Sequence, residues 1–141
     1  MKLLVGDLDR DFERPPPSGT GEVISLREPG DRQVPHSLGA ISIEAISLIR
    51  PLIPRIKRRD RSLAGQLVKA ASGAAMNIAE ADRCEPGVKK ARFGAAASQV
   101  NETQAALRVA VAWGYVEATD IETINGLIGR MNAMLSRLTR P

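Results

Sequence analysis

The sequence predicts an all-α protein, an antiparallel up-down four-helix bundle preceded by a disordered N-terminal extension. Three observations carry that reading. Apolar residues recur at alternating steps of three and four along four successive segments. The connections between those segments are short. Composition changes near residue 36, dividing the chain into a flexible, acidic, Pro/Gly-rich tail, 1–36, and a bundle, 37–141.

The first predicted helix runs from Leu38 to Arg58, with Ile43, Ile46, Ile49, Ile53 and Ile56 as its stripe. Pro51 and Pro54 fall inside it. Each removes a backbone donor and crowds the preceding turn, so a kink or a break is expected near Arg50. The second helix, Ser62 to Asp82, carries Leu63, Leu67, Ala70, Ala74, Ile78 and Ala81 on one face. The third begins at Pro86, suited to a first turn, and stops at Gly114, where a left-handed residue is expected. Its seam is Phe93, Ala97, Val100, Gln104, Leu107 and Val111. The fourth opens on a capping box of Thr119 and Glu122, with Ile121, Ile124, Ile128, Met131, Leu135 and Leu138 as its seam. Leu127 and Met134 lie off that seam and predict an exposed second apolar edge for self-association. The second and third helices are rich in alanine, so their axes can approach closely.

The 141 residues, 15.2 kDa, carry 20 Lys+Arg against 16 Asp+Glu, a net charge of +4. Residues 1–36 hold 5 basic and 7 acidic side chains; residues 37–141 hold 15 and 9, so the bundle is the basic part, at +6. The tail's five prolines and four glycines make up about a quarter of its length, a level that opposes independent order. Only four aromatics are present, too few for a binder that stacks a series of bases. One histidine, His36, and one cysteine, Cys84, exclude a Cys/His zinc cluster and an intramolecular disulfide. No apolar run approaches a membrane span, and the apolar stretch near the N-terminus is too short for a signal peptide. The expectation is a soluble, cytoplasmic protein without cofactor, metal or enzymatic activity.

LAGQLVKAASGAAMNIAEADR, residues 63–83, resembles a signature that runs L-x-x-Q, then A, then N-I-A-E, with Gln66, Ala70, Asn77, Ile78, Ala79 and Glu80 in place. FGAAASQVNETQAALRVAVAWGYV, residues 93–116, resembles its companion, with Glu102, Leu107, Gly114 and Tyr115 matching. These are the motifs of the four-helix-bundle proteins encoded in 23S rRNA intervening sequences, often labelled S23 ribosomal proteins. The two stretches span 63–116, about half of the bundle, and the resemblance implies a small basic four-helix protein. Several family members assemble as barrel-like homopentamers, which implies a homo-oligomer here. The family includes the accessory protein of diversity-generating retroelements, which engages nucleic acid and a reverse transcriptase, while the function of most members is unknown. Four departures stand out: Ala81 replaces the signature glycine, Ser98-Gln99 replaces a Gly-Ser pair, and the N-terminal extension and the paired prolines are additional.

Arg55, Lys57, Arg58, Arg59 and Arg61 place five cations in seven residues at the corner between the first two helices. Such a run can neutralise phosphates and release counterions, or can simply solvate a helix end. Lys89, Lys90 and Arg92, with Arg83, form a second group at the opposite end of an up-down bundle. A cyclic oligomer would turn each group into a ring of positive charge. Asn77 and Glu80 lack a base, nucleophile or metal partner nearby, which favours a structural role at a helix end or an interface. Glu80 and Glu102 could meet across a metal only with Glu-x-x-His companions, and 37–141 contains no histidine. Gln104 is expected at the seam edge, in reach of water. Cys84 has no resolving partner and His36 reads as linker. Trp113 and Tyr115 are expected to clamp the end of the third helix, base stacking being the alternative.

The tail offers a different reading. Leu3 to Arg10 resembles the short peptides that load cargo into bacterial encapsulin shells, with a stretch from Pro15 to Pro17 beyond it. The sequence therefore favours a non-catalytic homo-oligomer, pentameric by resemblance, whose basic surface binds RNA or DNA or a nucleoprotein partner. The alternative is an adaptor that recruits a protein through residues 1–36.

Overall fold

The computed structural model describes residues 37–141; the tail, with the cargo-peptide resemblance and His36, lies outside the described residues. Five α-helices form four rods: α1 (Leu38–Ile49), α2 (Ile53–Arg59), α3 (Arg61–Ala81), α4 (Pro86–Ala112) and α5 (Glu122–Leu138). α1 and α2 are one rod, bent through a 3-10 turn at Arg50–Leu52. Pro51 and Pro54 remove two ladder donors there, yet Arg50, Leu52 and Ile53 all keep right-handed helical angles. The outcome is a kink and not a break. Each rod packs against its neighbours in sequence, and α5 closes against α1. The most extensive pairing is that of α3 with α4.

The helix ends follow local chemistry. Ser37 caps α1, its Oγ accepting from the Ala40 N–H at 3.1 Å. Asp60 is extended, ends α2, and caps α3 through Oδ1, which accepts from the Leu63 N–H at 2.9 Å. α4 starts at Pro86 and ends in a Schellman turn. There the Tyr115 N–H bonds Ala110 O and the Gly114 N–H bonds Val111 O, both at 2.9 Å, with Gly114 at φ 80°. The capping box sits two residues earlier than the Thr119–Glu122 pair: Glu117 and Asp120 cap each other's backbone and open a 3-10 turn, Ala118–Ile121, that leads into α5.

The core is one cluster, with Ile41, Ile56, Leu67, Leu107, Ile124, Ile128 and Leu135 wholly enclosed. The α3 face is buried throughout, as its spacing predicts. Three expectations shift. On α1 the buried line is Leu38, Ile41, Ala45 and Ile49, and Ile43 faces out at 58% exposure. On α4 the enclosed positions are Phe93, Ala96, Val100, Thr103, Ala106, Leu107 and Ala110, while Ala97, Gln104 and Val111 are half-buried. The close approach to α3 selects the small residues one step round the helix. Leu127 is buried and Met134 half-buried against the core, so α5 has no exposed second edge, and its seam opens only at Leu138.

Candidate nucleic-acid interface

The α2–α3 corner forms because Asp60 must leave the helix to cap the next one, which reverses the chain within a single residue. The five cations flank that reversal. Arg55 is half-buried and donates from Nη2 to Asp120 Oδ2 at 2.9 Å. Asp120 also accepts from the Glu117 N–H at 2.8 Å. That backbone bond, and then the Arg55 guanidinium, hold the Asp120 carboxyl below its ordinary pKa. The Arg59 guanidinium lies over the Tyr115 ring, 5.4 Å from its centroid. The Tyr115 hydroxyl donates to Asp60 Oδ2 at 3.4 Å. The corner is thus fastened to the end of α4 and to the turn before α5. Lys57, Arg58 and Arg61 are exposed and, among the described residues, have no carboxylate partner.

The second basic group lies at the far end of α3, about 30 Å away at 1.5 Å per residue. Arg92 is committed there: Nη1 meets Glu80 Oε1 at 2.7 Å and donates to Asn77 Oδ1 at 3.1 Å. Asn77 in turn donates from Nδ2 to Gln99 Oε1 at 2.8 Å. Lys89 is half-buried and Lys90 exposed, without carboxylate partners among the described residues. The Gln99 amide lies against Gly73, where a side chain would displace it. Gln99 therefore occupies the space left by Gly73 and bonds Asn77 across the α3–α4 seam. Ala81, in place of the signature glycine, is fully buried.

The signature polar residues are not enclosed. Gln66 and Glu102 are exposed and, with Lys69 and Gln99, line an open cleft of about 620 Å³ between α3 and α4. Asn77 is half-buried and Glu80 exposed, tied to neighbouring side chains as described. Cys84 is half-exposed with Sγ 3.3 Å from Glu80 O. Tyr115 clamps the end of α4, but Trp113, expected to share that role, is 68% exposed. Sequence spacing could not identify Asp120 and Tyr115 as the groups that hold Arg55 and Arg59, because these partners lie far along the chain, Asp120 at a separation of 65 residues. Among the described residues no group of three or more His, Cys, Asp or Glu could hold a metal, and no helix is long and apolar enough to cross a membrane.

No protein-family model matches the chain, and no curated protein matches it significantly. The fold is similar to that of a solved protein of unknown function from the S23 ribosomal protein family, from Bacteroides thetaiotaomicron VPI-5482. The match has a TM-score of 0.66 at 18% identity, over 74% of this chain and 100% of that one. The likeness establishes an S23-type fold.

Proposed function

We propose that the protein is a non-catalytic homo-oligomer that binds RNA or DNA, free or within a nucleoprotein partner, through its α2–α3 corner. The observation that carries this reading is the exposed trio Lys57, Arg58 and Arg61, without carboxylate partners among the described residues, on a corner braced by Arg55–Asp120 and Arg59–Tyr115. Bracing fixes where the free cations stand, so phosphate binding need not order the backbone first. Cyclic assembly would repeat the trio around a ring, and the family resemblance makes a pentamer the expected stoichiometry. Exposed Val68 and Met76 on α3 offer the apolar contact that α5 does not.

The test is anisotropy of labelled duplex DNA and structured RNA at about 50 and 200 mM salt, with sedimentation to compare the mass with the 15.2 kDa monomer. Binding that falls steeply with salt is expected, and the K57Q/R58Q/R61Q variant should flatten the dependence by roughly 0.9 in log–log slope per lost phosphate contact. Unchanged affinity in that variant would refute the corner as the site. No binding by the wild type would turn attention to the adaptor reading.

A further inference from the structure

We propose that Trp113 is a stacking platform for an unpaired base, so that the corner takes single-stranded nucleic acid in preference to duplex. This rests on the reading of the corner given above and specifies its ligand. Trp113 is the chain's single tryptophan and, at 68%, the most exposed large hydrophobic residue among those described. Its backbone is nonetheless fixed, with its N–H bonded to Val109 O at 3.0 Å and the Schellman turn following at once. Two residues on, Tyr115 receives Arg59 and bonds Asp60, which places Trp113 at the bundle end that carries Lys57, Arg58 and Arg61.

One turn back from Trp113 is Val109, 41% exposed, which forms part of the α3–α4 cleft with Leu63, Gln66 and Lys69. An exposed aromatic one helical turn beyond a residue that lines the cleft, at the bundle end that carries Lys57, Arg58 and Arg61, matches what a single strand presents: a base with both faces bare and a phosphate on each side. A duplex has its bases stacked already and would gain only the phosphate contacts. Of the carboxylates at this end, Asp60 and Asp120 are occupied by Leu63, Tyr115, Glu117 and Arg55, and Glu117 caps Asp120; Glu122 at the start of α5 is exposed, as is Glu102 in the cleft. A two-fold contact between copies through Trp113 would instead press unpaired cations against their own kind. The scarcity of aromatics still excludes a series of stacks; the geometry points to one.

The experiment uses the full chain and the intrinsic emission of Trp113, which no other tryptophan obscures. Oligo-dT and oligo-U of about 20 nucleotides are added at low salt, with a duplex of equal length as control; binding is followed in parallel by anisotropy. Quenching by either single strand, reversed by salt and absent with duplex, is expected, and the two strands show whether DNA or RNA is preferred. Trp113→Ala should weaken single-strand binding at least about fivefold and leave duplex binding unchanged, since one base stack contributes on the order of that factor or more. Trp113→Phe should recover part of the loss. Single-strand binding without quenching, or unaltered by Trp113→Ala, overturns the stacking role and leaves the corner reading intact. No binding of any nucleic acid overturns both. Emission that follows protein concentration and ignores oligonucleotide also overturns it, and makes Trp113 a subunit contact.

Discussion

At the α2–α3 corner Arg55 is held by Asp120 and Arg59 by Tyr115, leaving Lys57, Arg58 and Arg61 exposed, whereas at the α3–α4 end Arg92 is held by Asn77 and Glu80, and Arg83, Lys89 and Lys90 have no carboxylate partner among the described residues. The near end uses its tied cations to fasten a turn and the end of α4 to the corner. The far end uses its tied cation to join α3 to α4. A run of basic residues is thus a poor count of the charge available to a ligand, because neighbours in space neutralise some members and leave others.

The comparison is broken most directly by charge removal. K57Q/R58Q/R61Q should weaken nucleic-acid binding by about a hundredfold at low salt, and K89Q/K90Q by about tenfold or less; titrations of both by anisotropy check the ranking. Equal losses would mean that the two ends act alike. The next largest effect is structural. Gly114 adopts φ 80°, so Gly114→Ala should cost about 1–2 kcal/mol of stability by denaturant unfolding, and should loosen the turn that positions Trp113 and Tyr115.

A change at the far end sharpens the contrast from the other side. Asn77→Ala removes the bridge between Gln99 and Arg92 and should cost about 1 kcal/mol, with nucleic-acid affinity at the corner unchanged. The smallest effect is the acid response of the Arg55–Asp120 brace. Asp120 has a folded pKa below its ordinary 3.8, so its stabilising contribution is full above that value and is lost as pH falls through the folded pKa. In Asp120→Asn, the melting temperature should fall less steeply below about pH 4 than in the wild type.

Much of the fold was legible in the chain. Alternating apolar steps located every rod, Pro51 and Pro54 located the kink, and Pro86 and Gly114 marked the ends of the longest helix. The phase of α4 was not legible, because alanines at 95, 96, 97, 105, 106 and 110 look alike along the chain and the close approach to α3 decides which of them face inward. The second apolar edge of α5 fails for a related reason: Leu127 is covered because the buried face of a bundle helix is wider than one seam. The candidate corner was visible as a cluster of charge; its division into braced and free cations was not.

The sequence by itself determined the helices, their order, the kink and the basic corner, because periodicity, proline chemistry and caps act within a few residues. Only the tertiary structure decided which cations are available, which signature residues line a cleft, and that Tyr115 turns in while Trp113 faces out. Those outcomes depend on side chains brought together from different helices, from 15 residues apart for Asn77 and Arg92 to 65 for Arg55 and Asp120, and local spacing carries no information about such meetings.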